Sequence, residues 1–166
     1  MSQGSSMLGF VVIMMLYAAI GLMAAWGAIS VTGKIFGPRA EQVFYGVFLI
    51  LIASFYLAFV AYFGNPVALR AESAAVVVFA VIGLFGVRLP IALIAGYPLH
   101  GLWDLLHELQ AQGAAFDPGS LTAIPLAYGV FCAVFDVCIA AYSYTRLAEW
   151  EAAWVPQPQG VTTPTA

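Results

Sequence analysis

The chain has 166 residues, of which 63% are hydrophobic and only 8% charged, and its formal net charge is −3. A soluble domain carries about 25% charged residues, so this composition, with a mean hydropathy of +0.97, excludes a soluble globular protein and points to an integral membrane protein. Five Lys and Arg in the whole chain form no basic patch, which argues against a nucleic-acid partner.

A hydrocarbon core of ~30 Å needs roughly 20 helical residues, with 17 to 25 tolerated. Five apolar stretches meet that length, at residues 7–29, 43–63, about 70–87, 91–109 and 124 to about 145. Residues 1–6 carry no Lys or Arg, so the first stretch lacks the basic front of a signal peptide and is read as retained. Residues 30–42, with Gly33, Gly37 and Pro38, read as a connector on the cytoplasmic side. Only Arg88-Leu89-Pro90 separates the third span from the fourth, and Pro90 suits the first turn of a helix, where its missing N–H costs nothing. The pair is therefore expected as a tight hairpin.

Residues 110–123 read as an outer loop, with a strong turn signal at Asp117-Pro118-Gly119-Ser120. In 146–154, Leu147, Trp150 and Trp154 share a face, which predicts a short interfacial helix anchored by its indoles. From Val155 the Pro-, Gln- and Thr-rich tail is expected to be disordered. The expected fold class is all-α: an integral membrane bundle of five transmembrane helices with a short C-terminal interfacial helix. Residues 1–154 form a single domain and 155–166 the tail, and no internal repeat is evident.

With five spans, Lys34, Arg39, Arg88 and Arg146 fall on one side and only Arg70 on the other. The positive-inside rule then predicts a multi-pass cell-membrane protein with its N-terminus outside and its C-terminus in the cytoplasm. Cys132 and Cys138 lie on different faces of the fifth span and read as free thiols packed as small apolar groups.

The chemistry concentrates in residues 97–108, Tyr-Pro-Leu-His-Gly-Leu-Trp-Asp-Leu-Leu-His-Glu. At about 100° per residue, Tyr97, His100, Asp104, His107 and Glu108 fall on one side of a helix and Leu99, Leu102, Leu105, Leu106 and Leu109 on the other. Ionisable groups inside a membrane segment are costly and mark a site by default. The fourth helix runs outward, which puts His100 about 15 Å below its outer end, and Asp136 lies roughly 18 Å below the outer end of the fifth. Those depths match. Arg70 and Glu72 come level with His107 and Glu108. The first two spans contain no ionisable residue, so Glu72, His100, Asp104, His107, Glu108 and Asp136 are expected around one cavity in the outer half of the membrane. Glu108 is expected near water. Pro98 removes a backbone hydrogen bond one turn before His100 and is expected to kink the helix there.

The run His100-x-x-Trp103-Asp104-x-x-His107-Glu108, followed by Cys132-Ala133-x-x-Asp136, resembles a family of small bacterial multi-span membrane proteins of unknown function. That family carries His-x-x-Trp-Asp-x-x-His-His and then Cys-Ala-x-x-Asp in the next helix. The resemblance covers about residues 95–140, and Glu108 stands where the family has a second His. It implies that His100, Asp104, His107 and Asp136 form one site, and it brings no known activity. The one-turn spacing of His100 and Asp104 also resembles the layout of sterol-isomerase-type membrane enzymes, a likeness of arrangement alone.

Four function classes follow. The leading expectation is an intramembrane acid–base enzyme acting on a lipophilic, terpenoid or sterol-like molecule by isomerisation, cyclisation or epoxide opening. A carboxyl group held out of water keeps its proton to higher pH, so Asp104 or Asp136 is the candidate acid, with His100 as base or orienting partner and His107 at the mouth. Tyr97, Trp103, Glu72 and Glu108 are the expected substrate-binding residues. No metal ligand set and no cofactor is assigned, and no Ser or Cys nucleophile has an activator. The alternatives are a proton- or cation-binding transport or sensor protein, a single divalent metal on His100, Asp104 and Asp136, and an accessory subunit whose polar stripe docks a partner helix. Gly101 and Gly129 would permit that last approach. The expected partners are the bilayer and a lipophilic small molecule, and a homodimer would supply further helices.

Overall fold

The computed structural model describes residues 3–111 and 121–156, which form five helices and no strand. They are α1 (Gln3–Ile35), α2 (Pro38–Phe63), α3 (Leu69–Gly86), α4 (Pro90–Ala111) and α5 (Tyr128–Ala153). α1, α2, α3 and α5 are long and apolar enough to cross a membrane. α4 has the length, but its His, Asp, Tyr and Trp residues lower its hydropathy. The all-helical membrane-protein reading therefore stands. The turn at 117–120 and the tail from residue 157 lie outside the described residues.

Neighbours in sequence are neighbours in space. α2 packs on α3, α3 on α4 and α4 most extensively on α5, while α2 also touches α4 and α5 to close a four-helix arrangement. α1 stands outside this group, packed along α5 and tied to α2 near its end by the 2.8 Å contact between the Thr32 and Tyr45 hydroxyls. The tight α3–α4 hairpin is present, with Pro90 as the first residue of α4. α4 continues as helix through Pro98.

α5 starts at Tyr128 rather than at residue 124, and two larger departures from the expectation share one cause. The connector expected over 30–42 shrinks to Phe36 and Gly37, because Gly37 is extended and Pro38 begins α2 five residues before the apolar run. Glu41 and Gln42 thus become helical, and both are fully buried. The expectation that the first two helices hold no ionisable residue is overturned. At the far end of the chain, the separate interfacial helix is replaced by a continuous α5 that reaches Ala153. Tyr142, Arg146 and Trp150, one turn apart on one face, all donate to Glu41. Tyr142 Oη reaches Oε1 at 2.6 Å, and Arg146 Nε and Trp150 Nε1 each reach Oε2 at 3.0 Å. Trp154 Nε1 donates to Gln42 Oε1 at 2.8 Å, and the guanidinium groups of Arg39 and Arg88 lie over the Trp154 ring. Trp150 is buried rather than an interfacial anchor. One buried carboxylate therefore holds the end of α5 against the start of α2, and it accounts for both differences.

Candidate functional site

α4 is amphipathic as its spacing predicts. Tyr97, His100, Asp104, His107 and Glu108 are buried, Leu99, Leu102, Leu105 and Leu109 are exposed, and Leu106 is half-buried. The polar stripe is covered by the chain's own α2, α3 and α5, so it is not an open face for a partner helix. Close approach of α4 and α5 depends on small residues. A Cβ on Gly101 would lie 3.1 Å from Ala133 Cα and 3.3 Å from Asp136 Cβ, and one on Gly129 would strike the Asp104 carbonyl. Gly101 and Gly129 thus permit an approach within the chain. Ala133 and Asp136 of the Cys-Ala-x-x-Asp run are the residues that meet Gly101.

That approach forms the centre of the site. His100 Nδ1 lies 2.8 Å from Asp136 Oδ2 and 3.1 Å from Asp104 Oδ2. A single N–H can be directed well at only one oxygen, and the shorter contact takes it, which leaves Asp104 Oδ2 without a hydrogen bond. On the other side of Asp104, the Tyr56 hydroxyl donates to Oδ1. His100 Nε2 and Asp136 Oδ1 are likewise buried with no hydrogen-bond partner among the described residues. The imidazole is flanked by the rings of Phe79, at 4.9 Å between centroids, and Tyr56, at 5.8 Å.

A second cluster lies two turns further along α4. Glu72 Oε1 accepts from the Thr122 backbone N–H at 2.8 Å and lies 2.9 Å from His107 Nε2. His107 Nδ1 lies 2.9 Å from the Trp103 carbonyl, which can only accept, so this nitrogen carries a proton. The Nε2–Oε1 contact therefore requires a second proton, held by His107 or by Glu72. Trp103 Nε1 approaches Glu72 Oε2 at 3.4 Å, a long contact. The two clusters meet through Tyr56, whose ring stacks on His107 at 4.6 Å between centroids.

The structure thus brings together His100, Asp104 and Asp136, and separately Glu72, His107 and Trp103. Glu108 is buried rather than water-exposed. Arg70 is exposed and takes no part. Tyr97, expected to contact substrate, turns to α2 instead, where its hydroxyl donates to the Tyr45 carbonyl at 2.8 Å. Tyr56 was missing from the sequence reading, although Tyr45, Leu49, Ala53, Tyr56 and Val60 recur at helical spacing and are all buried. That stripe was a signal that Tyr56 faces the interior.

Two cavities flank the clusters. One of about 250 Å³ is lined by Asn65, His107, Gln110, Leu121 and Thr122, where the α2–α3 turn meets the segment leading into α5. The other, of about 190 Å³, lies between α2 and α5 and has Asp136 in an otherwise mostly aromatic and aliphatic wall. A third hollow, of about 400 Å³, runs along the exposed face of α2 and shares Phe48, Ile52 and Phe55 with the second.

One donor atom from each of His100, Asp104 and Asp136 lies within 4.8 Å of the others, close enough to converge on one cation. No protein-family model, no curated protein and no solved structure matches this chain.

Proposed function

We propose that this protein is an intramembrane acid–base enzyme acting on a lipophilic substrate, with Asp136 as the proton donor and acceptor. One observation carries the reading: Asp136 lines an apolar cavity, and its carboxyl group is hydrogen-bonded to a buried histidine. Charge in hydrocarbon is expensive, so the His100–Asp104–Asp136 group favours neutrality. An imidazolium, one carboxylate and one carboxylic acid satisfy that count. Asp104, which accepts from Tyr56, is the carboxylate. Asp136 is the acid, with its proton on the unpartnered Oδ1. His100 positions Asp136 by donating to Oδ2, and Glu72 with His107 joins the group to the cavity beside Thr122. We read α4 as a fifth span, with Arg39, Arg88 and Arg146 at the cytoplasmic end. The arrangement of Arg39 and Arg88 over one tryptophan supports their common side.

The test is a lipid profile of host membranes carrying the wild type or Asp136→Asn. A lipid pair whose ratio depends on Asp136 supports the enzyme, and identical profiles refute it.

A second reading has its own observation. A divalent cation on His100, Asp104 and Asp136 would neutralise two carboxylates and use their unpartnered oxygens. Elemental analysis of the purified protein separates the two readings: stoichiometric metal, lost in His100→Ala, favours the cation.

A further inference from the structure

We infer that the substrate is an isoprenoid-type alkene, and that the α2–α5 cavity is built to hold the carbocation formed when Asp136 protonates its double bond. This deepens the acid–base reading and rests on it.

The argument starts from what lines the wall. Beside Asp136 stand five rings, those of Phe48, Phe55, Tyr128, Phe131 and Phe135. Four of them form a continuous ladder: Tyr128 to Phe131 at 6.3 Å between centroids, Phe131 to Phe135 at 6.5 Å, and Phe135 to Phe48 at 5.8 Å. A lipophilic chain would be held equally well by Leu and Ile. Ring faces offer one thing aliphatic groups do not, attraction for a cation within about 6 Å of the centroid, strongest where water is excluded. A proton donor and five aromatic rings around one small apolar space match a reaction that creates positive charge on carbon. A reaction that builds negative charge on oxygen would gain nothing from these rings.

The step balances without a co-reactant. The Asp136 Oδ1–H bond breaks, and the alkene π pair forms a C–H bond at the less substituted carbon. The neighbouring carbon becomes a tertiary cation. A C–H bond on the far side of the cation then gives its proton back to Asp136 Oδ1, and that electron pair becomes the new double bond. The net change is a shift of the double bond, with Asp136 regenerated. A volume of 190 Å³ is below the usual range for a whole drug-sized ligand. It suits one end of a chain, with the remainder in the adjoining 400 Å³ hollow along α2.

The test compares binding of two probes to the purified protein in nanodiscs. One is N,N-dimethylgeranylamine, whose ammonium stands in for the tertiary cation, and the other is an uncharged hydrocarbon of the same shape. The amine is expected to bind at least tenfold more tightly, which is about 1.4 kcal/mol. Asp136→Asn separates ring attraction from attraction to the carboxylate: the preference persists there if the rings carry it. It falls severalfold in Phe131→Leu and Phe135→Leu, each checked for wild-type elution and helix content, with Phe85→Leu on the exposed face of α3 as control. Equal binding of the two probes, or a preference abolished by Asp136→Asn alone, overturns the alkene proposal. Asp136-dependent lipid turnover in that case leaves the acid–base reading intact. Loss of that turnover sinks the enzyme reading, whatever the probes do.

Discussion

If the site exists because α4 and α5 touch through glycines, then adding one methyl group at a time should dismantle it in a fixed order. A methyl group on Gly27 in α1 would have nothing within 4 Å, one on Gly101 would have Ala133 Cα at 3.1 Å, and one on Gly129 would face the rigid Asp104 backbone. Ordinary carbon contacts lie at about 3.5–4.0 Å. Gly101→Ala therefore requires the helices to part by about half an ångström, and Gly129→Ala by more. His100 is adjacent to Gly101, and its bond to Asp136 is 2.8 Å long. The same displacement would stretch it to about 3.3 Å, beyond a normal charge-assisted hydrogen bond. Overpacking of this kind costs roughly 1–3 kcal/mol. Thermal unfolding in detergent, followed by circular dichroism, should rank the variants Gly27→Ala near wild type, Gly101→Ala lower and Gly129→Ala lowest. Asp136-dependent lipid turnover should follow the same order. If Gly101→Ala and Gly129→Ala behave like Gly27→Ala, the close α4–α5 contact is not what assembles the site.

Removal of the Tyr56 hydroxyl in Tyr56→Phe leaves Asp104 Oδ1 without its donor, so turnover should drop at least tenfold, with a stability loss of roughly 1.5–3 kcal/mol for a hydrogen bond to a charged group. Unchanged turnover would remove Tyr56 from the site. Glu41→Ala strands the buried Trp150 indole and uncouples Arg146. Breaking a buried pair in this way costs roughly 3–5 kcal/mol, reduced here because Arg146 is 21% exposed. Unfolding in denaturant should show the loss without any change in the lipid profile per folded molecule. Glu72→Gln keeps an acceptor for the Thr122 N–H but gives up the proton shared with His107. It should slow turnover severalfold with little change in melting temperature, and an equal fall in both would make Glu72 a structural residue.

Helix type and the site-bearing face were readable because hydropathy and 100° spacing act locally. His100, Asp104 and His107 share a face by arithmetic, and Asp136 reached them by matched depth on an antiparallel neighbour. What escaped notice depended on tertiary contact. Glu41 sits in a Gly-Pro-rich stretch whose local signal is a loop, and only its donors from α5, about a hundred residues away, explain a buried acid there. For the same reason the indoles of 146–154 suggested an interfacial helix, since a tryptophan that binds protein and one that binds headgroups look alike in sequence. Tyr56 lies in a span with no charged residue, where only the helical spacing of its buried stripe marks it as inward-facing. Tyr97 shares the polar face but lies a turn nearer the Tyr45 carbonyl, which captures its hydroxyl.

The protonation state of Asp136 at neutral pH can be read by infrared spectroscopy of the reconstituted protein. A carboxylic-acid C=O component should be present, shift in D2O, disappear in Asp136→Asn and survive Glu72→Gln and Glu108→Gln. A spectrum with no such band, or a band indifferent to Asp136→Asn, would contradict Asp136 as the proton donor.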